Sequence, residues 1–121
     1  MNPERRQALS EAGIAVEAAL ERMMGSEALL EKLLGKFLQD KNLPALVSAL
    51  AAGDQAEAVA ASHALKGVCG NLSMEGLYAL FTRQVDALRQ GDWAAAQALM
   101  EEITPAYSRV VQAIGGRDGD G

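Results

Sequence analysis

The only histidine of the chain, His63, is followed by a lysine three residues later and by glycines four and seven residues later, in the stretch SHALKGVCGN. Side chains three and four residues apart lie on one face of a helix, so His63, Lys66, Gly67 and Gly70 would share a face. Imidazole side chains are mostly neutral at pH 7, which leaves a nitrogen lone pair free to attack. A lysine ammonium one turn away can offset the charge of a phosphoryl group arriving there. Phosphoryl acceptance is therefore the chemistry these residues could perform.

The helix that carries His63 is predicted to continue through both glycines. Four apolar residues keep helical spacing across the stretch: Ala61, Leu65, Val68 and Leu72. Such spacing indicates a stripe that faces the core. At about 100° per residue, His63 lies on the opposite side of the helix from that stripe. The alternative is that Gly67 ends the helix at Lys66, and the unbroken stripe argues against it.

The predicted surface around His63 is unusually bare. A solvated helix face normally carries long polar side chains, whereas the neighbours of His63 on its own face are Val59, Ala60, Lys66 and the two glycines. Glycine costs a helix roughly 1 kcal/mol against alanine, but bare backbone lets another molecule approach closely. We therefore predict an exposed histidine with Val59, Ala60 and Gly70 as docking residues. An ordinary surface histidine is the alternative.

Composition predicts one helical domain. The chain has 121 residues, enough for a single domain with its own core. Half of the residues are hydrophobic. Among them, alanine and leucine predominate over valine, isoleucine and aromatic residues. That bias favours helix over sheet.

Charge and cysteine content argue against several classes of function. The formal net charge is −5 and no basic stripe is available to neutralise phosphates, which argues against a nucleic-acid binder. The single cysteine excludes an intramolecular disulfide, and with one histidine it leaves no zinc site. No apolar run is typical of a signal peptide or approaches the roughly 20 residues of a membrane span. We expect a cytoplasmic protein with no membrane association, cofactor or metal of its own.

Glycine, proline and capping residues divide the chain into helices. Gly13 and Gly25 are expected to end the first two helices, and Ser26 to cap the third. Pro44 would clash with a continuing turn, which predicts a break near residues 40–42. The predicted helices cover residues 3–12, 15–24, 27–40 with a resumption up to 52, 55–72, 74–90 and 93–114.

Two matching joints, Gly53-Asp54 and Gly91-Asp92, separate the later helices. In each joint the glycine can close one helix and the aspartate can cap the next. Pro105 lies inside the last predicted helix, whose apolar positions keep one register across it, so we expect a kink rather than a stop. Short joints imply antiparallel neighbours. The sequence therefore predicts an all-α fold, an antiparallel up-down four-helix bundle over residues 1–114 with short N-terminal helical additions, and a flexible tail over 115–121.

Residues 63–67, HALKG, together with Leu72, resemble the His-x-Leu-Lys-Gly…Leu signature of histidine-containing phosphotransfer (HPt) domains. The resemblance extends over most of the chain, including GIAVEAALERMMGSEALLEKLLGKFLQD and GDQAEAVAASHALKG. Ser73 stands where the family often has glycine, and we expect this departure to affect only the helix junction.

The resemblance implies a freestanding, monomeric phosphocarrier in a His-Asp phosphorelay. His63 would accept the phosphoryl group on a ring nitrogen, Lys66 would stabilise its charge, and Gly67 would admit the partner. The implied partners are receiver domains of response regulators, which supply an acidic pocket and Mg²⁺, and a hybrid or sensor histidine kinase. This chain would have no ATP site. The family often places a polar residue of the next helix near the histidine. Arg83 and Gln84 are the candidates for that docking position, and the alternative is that neither fills it.

Three other features are assigned to packing. Cys69 falls on the core-facing side and is predicted to be a small buried hydrophobe rather than a nucleophile. The Met23-Met24 pair is expected to fill space in the core or at a helix end. Trp93 is expected to pack across a helix end.

Two other functions remain as hypotheses. One is a phosphorylation-independent helical adaptor, against which the intact set of His63, Lys66 and Gly67 counts. The other is an enzyme with a covalent phosphohistidine intermediate, which would need further polar catalytic groups that the sequence does not cluster around His63.

Overall fold

The computed structural model describes residues 1–115, which form seven α-helices. In chain order they are α1 (Pro3–Glu11), α2 (Val16–Arg22), α3 (Glu27–Phe37), α4 (Asn42–Ala52), α5 (Gln55–Asn71), α6 (Glu75–Arg89) and α7 (Trp93–Gly115). These residues contain no β-strand, and one isolated antiparallel bridge pairs Ile14 with Met74. The predicted all-α class is confirmed.

The Gly-Asp joints end and begin helices as predicted. Gly53 and Gly91 have φ angles of 69° and 77°, in the left-handed region that glycine adopts without strain. Asp54 and Asp92 each accept a hydrogen bond on Oδ1 from the backbone N–H three residues later, at 3.2 and 3.1 Å. Each aspartate therefore satisfies a donor of the first turn that has no partner within the helix.

The prolines act in two different ways. Pro44 is the third residue of α4, a position where the backbone N–H has no intrahelical partner to lose. The predicted break before it is confirmed, because α3 ends at Phe37 and α4 begins at Asn42. Pro105 lies inside α7 and does not stop it.

Helices that follow one another in the chain pack together in the second half of the protein. Helix α5 packs against both α4 and α6, α6 packs against α7, and α1 and α3 pack against α7. The face of α5 that enters the core carries Ala58, Ala61, Leu65 and Cys69, all buried. A helical bundle is thus shown, while the antiparallel up-down order of four helices stays a prediction.

The end of α7 corrects one predicted boundary. The sequence predicts that Gly115 belongs to the tail, but it is the last residue of α7. The last carbonyl groups of a helix have no partner within the helix. Here Nη1 of Arg5 donates to two of them, the carbonyl oxygens of Ala113 at 3.1 Å and Ile114 at 2.8 Å. The rest of the predicted tail, residues 116–121, lies outside the described residues.

The junction between α5 and α6 is tied to the N-terminal helices. Ser73 has a φ of 55°, a left-handed conformation that glycine adopts more readily than serine. Its carbonyl accepts the N–H of Ala15 at 2.9 Å, and its hydroxyl accepts the Nε–H of Arg22 at 3.3 Å. These bonds hold the end of α5 against the segment around α2.

No helix within residues 1–115 combines the length and the apolar character needed to cross a bilayer.

Cys69 is expected to resist labelling while the protein is folded. Its side chain is fully buried, and this burial, helped by the negative charge of Asp40, raises the pKa of the thiol from 9.0 to about 12. The thiolate is the reactive form of cysteine. At about pH 8 the thiol of the folded protein is therefore neither ionised nor accessible to a reagent. Ellman's reagent should label the protein only in urea, and the unfolded sample is the control because the chain has one cysteine. Rapid stoichiometric labelling of the folded protein would contradict the buried position.

Candidate functional site

His63 lies at the middle of α5 and is exposed. The helix starts after the Asp54 cap and continues past Gly67 to Asn71, so the alternative in which Gly67 ends the helix is wrong. Leu65 and Cys69 point into the core from the opposite side. The imidazole is therefore presented to solvent by a helix that is buried along its other face, as the sequence predicts.

The residue before His63 anchors this helix to its neighbours. Ser62 is fully buried, and its hydroxyl donates to Oε1 of Gln84 on α6 at 2.9 Å. Gln84 in turn donates from Nε2 to the carbonyl oxygen of Ala96 on α7 at 3.0 Å. Consecutive residues of a helix are about 100° apart. The buried position of Ser62 thus helps to fix the rotation of α5 about its axis, and this rotation keeps His63 at the surface.

Gln84 corrects a predicted docking residue. Its side chain is 0 % exposed, so it cannot touch a partner at the surface of the folded protein. The physical reason is the bond to Ser62 and Ala96, which satisfies both ends of the amide and makes burial of a polar group tolerable. Arg83 is exposed and borders a shallow groove shared with Ala95 and Glu102 of α7. Its docking role stays a prediction.

Replacing Gln84 with leucine should destabilise the protein by about 1–3 kcal/mol, because Ser62 would keep a buried hydroxyl without its partner. Arg83→Leu is the matched control, since the neighbouring side chain is exposed and the same substitution there should change stability by less than about 0.5 kcal/mol. Urea unfolding followed by circular dichroism measures both. Equal stability of Gln84→Leu and wild-type protein would show that the buried amide is not a structural link.

Lys66 and Gly67 lie on the exposed side of α5 with His63. Lys66 is half-buried, and its Nζ lies 5.9 Å from the ring centroid of Tyr78 on α6. Gly67 is exposed, and a Cβ added to it would meet no atom within 4 Å. A side chain at position 67 would therefore project into open space, about one helical turn from His63.

Gly70 has a different environment from Gly67, which corrects the prediction that both offer bare backbone to a partner. A Cβ at Gly70 would lie 2.9 Å from Cδ1 and 3.0 Å from Cε1 of Tyr78. The tyrosine ring thus covers the side of Gly70 where a side chain would project, and glycine is needed there for contact within the chain. Tyr78 itself remains 42 % exposed.

The other two predicted docking residues lie one turn before the histidine. Ala60 is exposed, and Val59 is half-buried against the core. Neither carries a polar group, so the two residues can contribute only apolar contact and space. Their docking role stays a prediction.

A cleft of about 520 Å³ begins at Gly67 and extends past Gly70 and Asn71 towards Arg22. Tyr78 borders it, and His63 does not line it. Neither Tyr78 nor Arg22 is among the residues that the sequence predicts for the site. No local pattern could have found them, because each reaches this region from another helix.

This face of α5 therefore carries one exposed imidazole, a lysine three residues later and an open position at Gly67. Within the part of the chain that the structure describes, no three His, Cys, Asp or Glu side chains come together as metal ligands do. Such an arrangement can accept an electrophile that brings negative charge, and a phosphoryl group fits this description.

Comparison with known proteins gives one family. The family model described as Hpt domain matches residues 29–113 of the 121-residue chain. The matched region starts in α3, ends in α7 and contains the whole of α5, whereas α1 and α2 precede it. The comparisons with curated proteins and with solved structures returned no match.

Proposed function

Because this chain belongs to the Hpt domain family, whose members carry phosphoryl groups on histidine in phosphorelays, we propose that His63 is the residue that carries it here. In this proposal a receiver-domain aspartyl phosphate, or a kinase, donates the phosphoryl group to His63. A response-regulator receiver then takes it. Hpt domains are phosphocarriers within two-component signalling rather than catalysts of a separate reaction.

The proposed transfer needs no reactant other than His63 and the phosphorylated donor. The lone pair of an imidazole nitrogen of His63 attacks phosphorus, and the bond between phosphorus and the donor's carboxylate oxygen breaks. The carboxylate leaves with that electron pair, while the second ring nitrogen keeps its proton. Transfer onward is the same step in reverse, with the aspartate of the next receiver as nucleophile. Lys66 offsets the charge of the phosphoryl group while it resides on His63.

Little else is required of this chain, because phosphoryl transfer depends mainly on positioning and on stabilising charge. In the proposal the receiver supplies the acidic pocket and the Mg²⁺ that it holds, and this chain supplies neither an ATP site nor a metal. Gly67 lets the receiver's phosphorylated aspartate come within bonding distance of the imidazole.

One observation carries the proposal: on the open side of an unbroken α5, His63 is exposed and Gly67 leaves empty space beside it. A histidine that serves only as a surface residue has no need of that space. If His63 were only a surface residue, alanine would be expected at position 67 instead of glycine, since glycine weakens a helix.

The test is to incubate the protein with a panel of receiver domains of the same organism, each labelled with ³²P on its aspartate. We expect at least one receiver to lose its label while this protein gains acid-labile, alkali-stable label, the behaviour of phosphohistidine. Binding to receivers without movement of label would instead support the adaptor hypothesis. Label that is stable in acid would place the phosphoryl group on another kind of residue.

A further inference from the structure

Tyr78 is an aromatic side chain that packs on α5 at Gly70, on the side of Lys66. It comes from the first half of α6 and crosses to α5, where its ring rests on Gly70. The contact is close enough that an alanine at position 70 would force the ring to move, since the added Cβ would lie 2.9 Å from Cδ1. Glycine at position 70 therefore leaves the space that the Tyr78 ring occupies.

The same ring faces Lys66. The Nζ atom of Lys66 lies 5.9 Å from the ring centroid, within the range at which an ammonium is attracted to the face of an aromatic ring. Lys66 is half-buried, so its stem is partly packed and its charged end remains near the surface. No described ion pair involves Lys66 within residues 1–115. The contact described for the ammonium is thus the ring of Tyr78, which would restrain its motion.

This restraint matters because a free lysine ammonium moves over many rotamers. The side chain has four rotatable carbon–carbon bonds, and ordering it costs conformational entropy. Lys66 is three residues after His63 on the same helix face, so its side chain leaves the helix about one turn from the imidazole. Charge that is already in place when the phosphoryl group arrives stabilises it more than charge that must first be ordered.

We propose that Tyr78 is a positioning residue: its ring, packed on Gly70, restrains the ammonium of Lys66 on the face of α5 that carries His63. The catalytic consequence rests on one part of the proposed function, the acceptance of a phosphoryl group by His63, whereas the contact itself does not. Tyr78 acts through Lys66 and makes no bond to the phosphoryl group in this proposal.

The contact is tested by nuclear magnetic resonance on the unphosphorylated protein. The ring current of Tyr78 should shift the ε-methylene protons of Lys66 upfield. Tyr78→Phe should keep this shift, because the ring remains, and Tyr78→Leu should abolish it. Gly70→Ala should also reduce it by displacing the ring, whereas Gly76→Ala, where an added Cβ meets no atom within 4 Å, should leave it unchanged. An absent shift in the wild-type protein, or a shift retained in Tyr78→Leu, would overturn the proposal.

The consequence is tested by phosphorylating the protein with phosphoramidate, a small donor that loses ammonia and needs no docking surface. We expect Tyr78→Leu to slow formation of phosphohistidine about two- to fivefold, the effect of losing one exposed cation–π contact. Tyr78→Phe should restore the wild-type rate. In a Lys66→Ala background, Tyr78→Leu should have no further effect, because the two residues act as one unit.

Two results separate this inference from the proposed function. If Tyr78→Leu slows the reaction equally with and without Lys66, or leaves the wild-type rate unchanged, Tyr78 does not act through Lys66 and the inference fails. If phosphoramidate labels His63 with the expected dependence on Tyr78 but no phosphorylated receiver transfers label, the proposed function fails and the positioning role stands.

Discussion

His63→Gln is expected to abolish the uptake of phosphoryl groups from phosphorylated receivers while leaving the fold intact. Glutamine has a similar polar end but no nitrogen lone pair that can attack phosphorus at neutral pH. The side chain at position 63 is exposed and its helix is held from the other face, so the substitution should change the free energy of unfolding by less than about 0.5 kcal/mol. The loss of label should be complete because the chain has no second histidine.

Two measurements on the same preparations check this result. Transfer from a ³²P-labelled receiver measures uptake, and a thermal melt followed by circular dichroism measures folding. Ser62→Ala, at the adjacent buried position, is a useful contrast, since it should lower stability while retaining the acceptor nitrogen. If His63→Gln still takes up acid-labile phosphate, the acceptor lies elsewhere and the proposed function is wrong.

Gly67→Gln is expected to slow phosphotransfer severely, and Gly67→Ala to slow it less. The space above Gly67 is open, and a longer side chain would occupy it where the partner must approach. In-line attack on phosphorus requires near-contact of the reacting atoms, and a displacement of about 1 Å can cost about 100-fold in rate. Rapid-quench kinetics with a labelled receiver should show this loss in the transfer step.

The same substitutions should leave the protein folded. Gly67 is inside α5 and its φ is not in the left-handed region, so alanine should stabilise the helix by up to about 1 kcal/mol. Gly35→Ala is the matched control, because Gly35 is also inside a helix and an added Cβ there meets no atom within 4 Å. It should give a similar gain in stability without loss of transfer. Destabilised Gly67 variants that transfer phosphate at the normal rate would refute the docking role.

Local features of the sequence were sufficient to predict the helices and the direction of His63. The Gly-Asp joints, the Ser26 cap and the break before Pro44 are each decided by backbone groups within one or two turns. The outward direction of His63 follows from 3.6 residues per turn once the core stripe of α5 is known. Such properties need no knowledge of the neighbouring helices, and the structure confirms them.

Contacts between helices could not be predicted in this way. A glutamine at position 84 would be expected at the surface from its type alone, yet it is buried because Ser62, on another helix, supplies its partner. Likewise, Gly70 resembles Gly67 in the sequence, and only the packing of α6 on α5 brings Tyr78 over one of them.

The sequence by itself determined which residues are candidates for the chemistry and that they share one helix face. The tertiary structure alone decided which side chains surround them: Gln84 behind the histidine's helix and Tyr78 beside Lys66. The physical reason is that helical periodicity is set by hydrogen bonds within a segment. The axial register between two helices depends on how all their side chains interlock, and no short stretch of sequence contains that information.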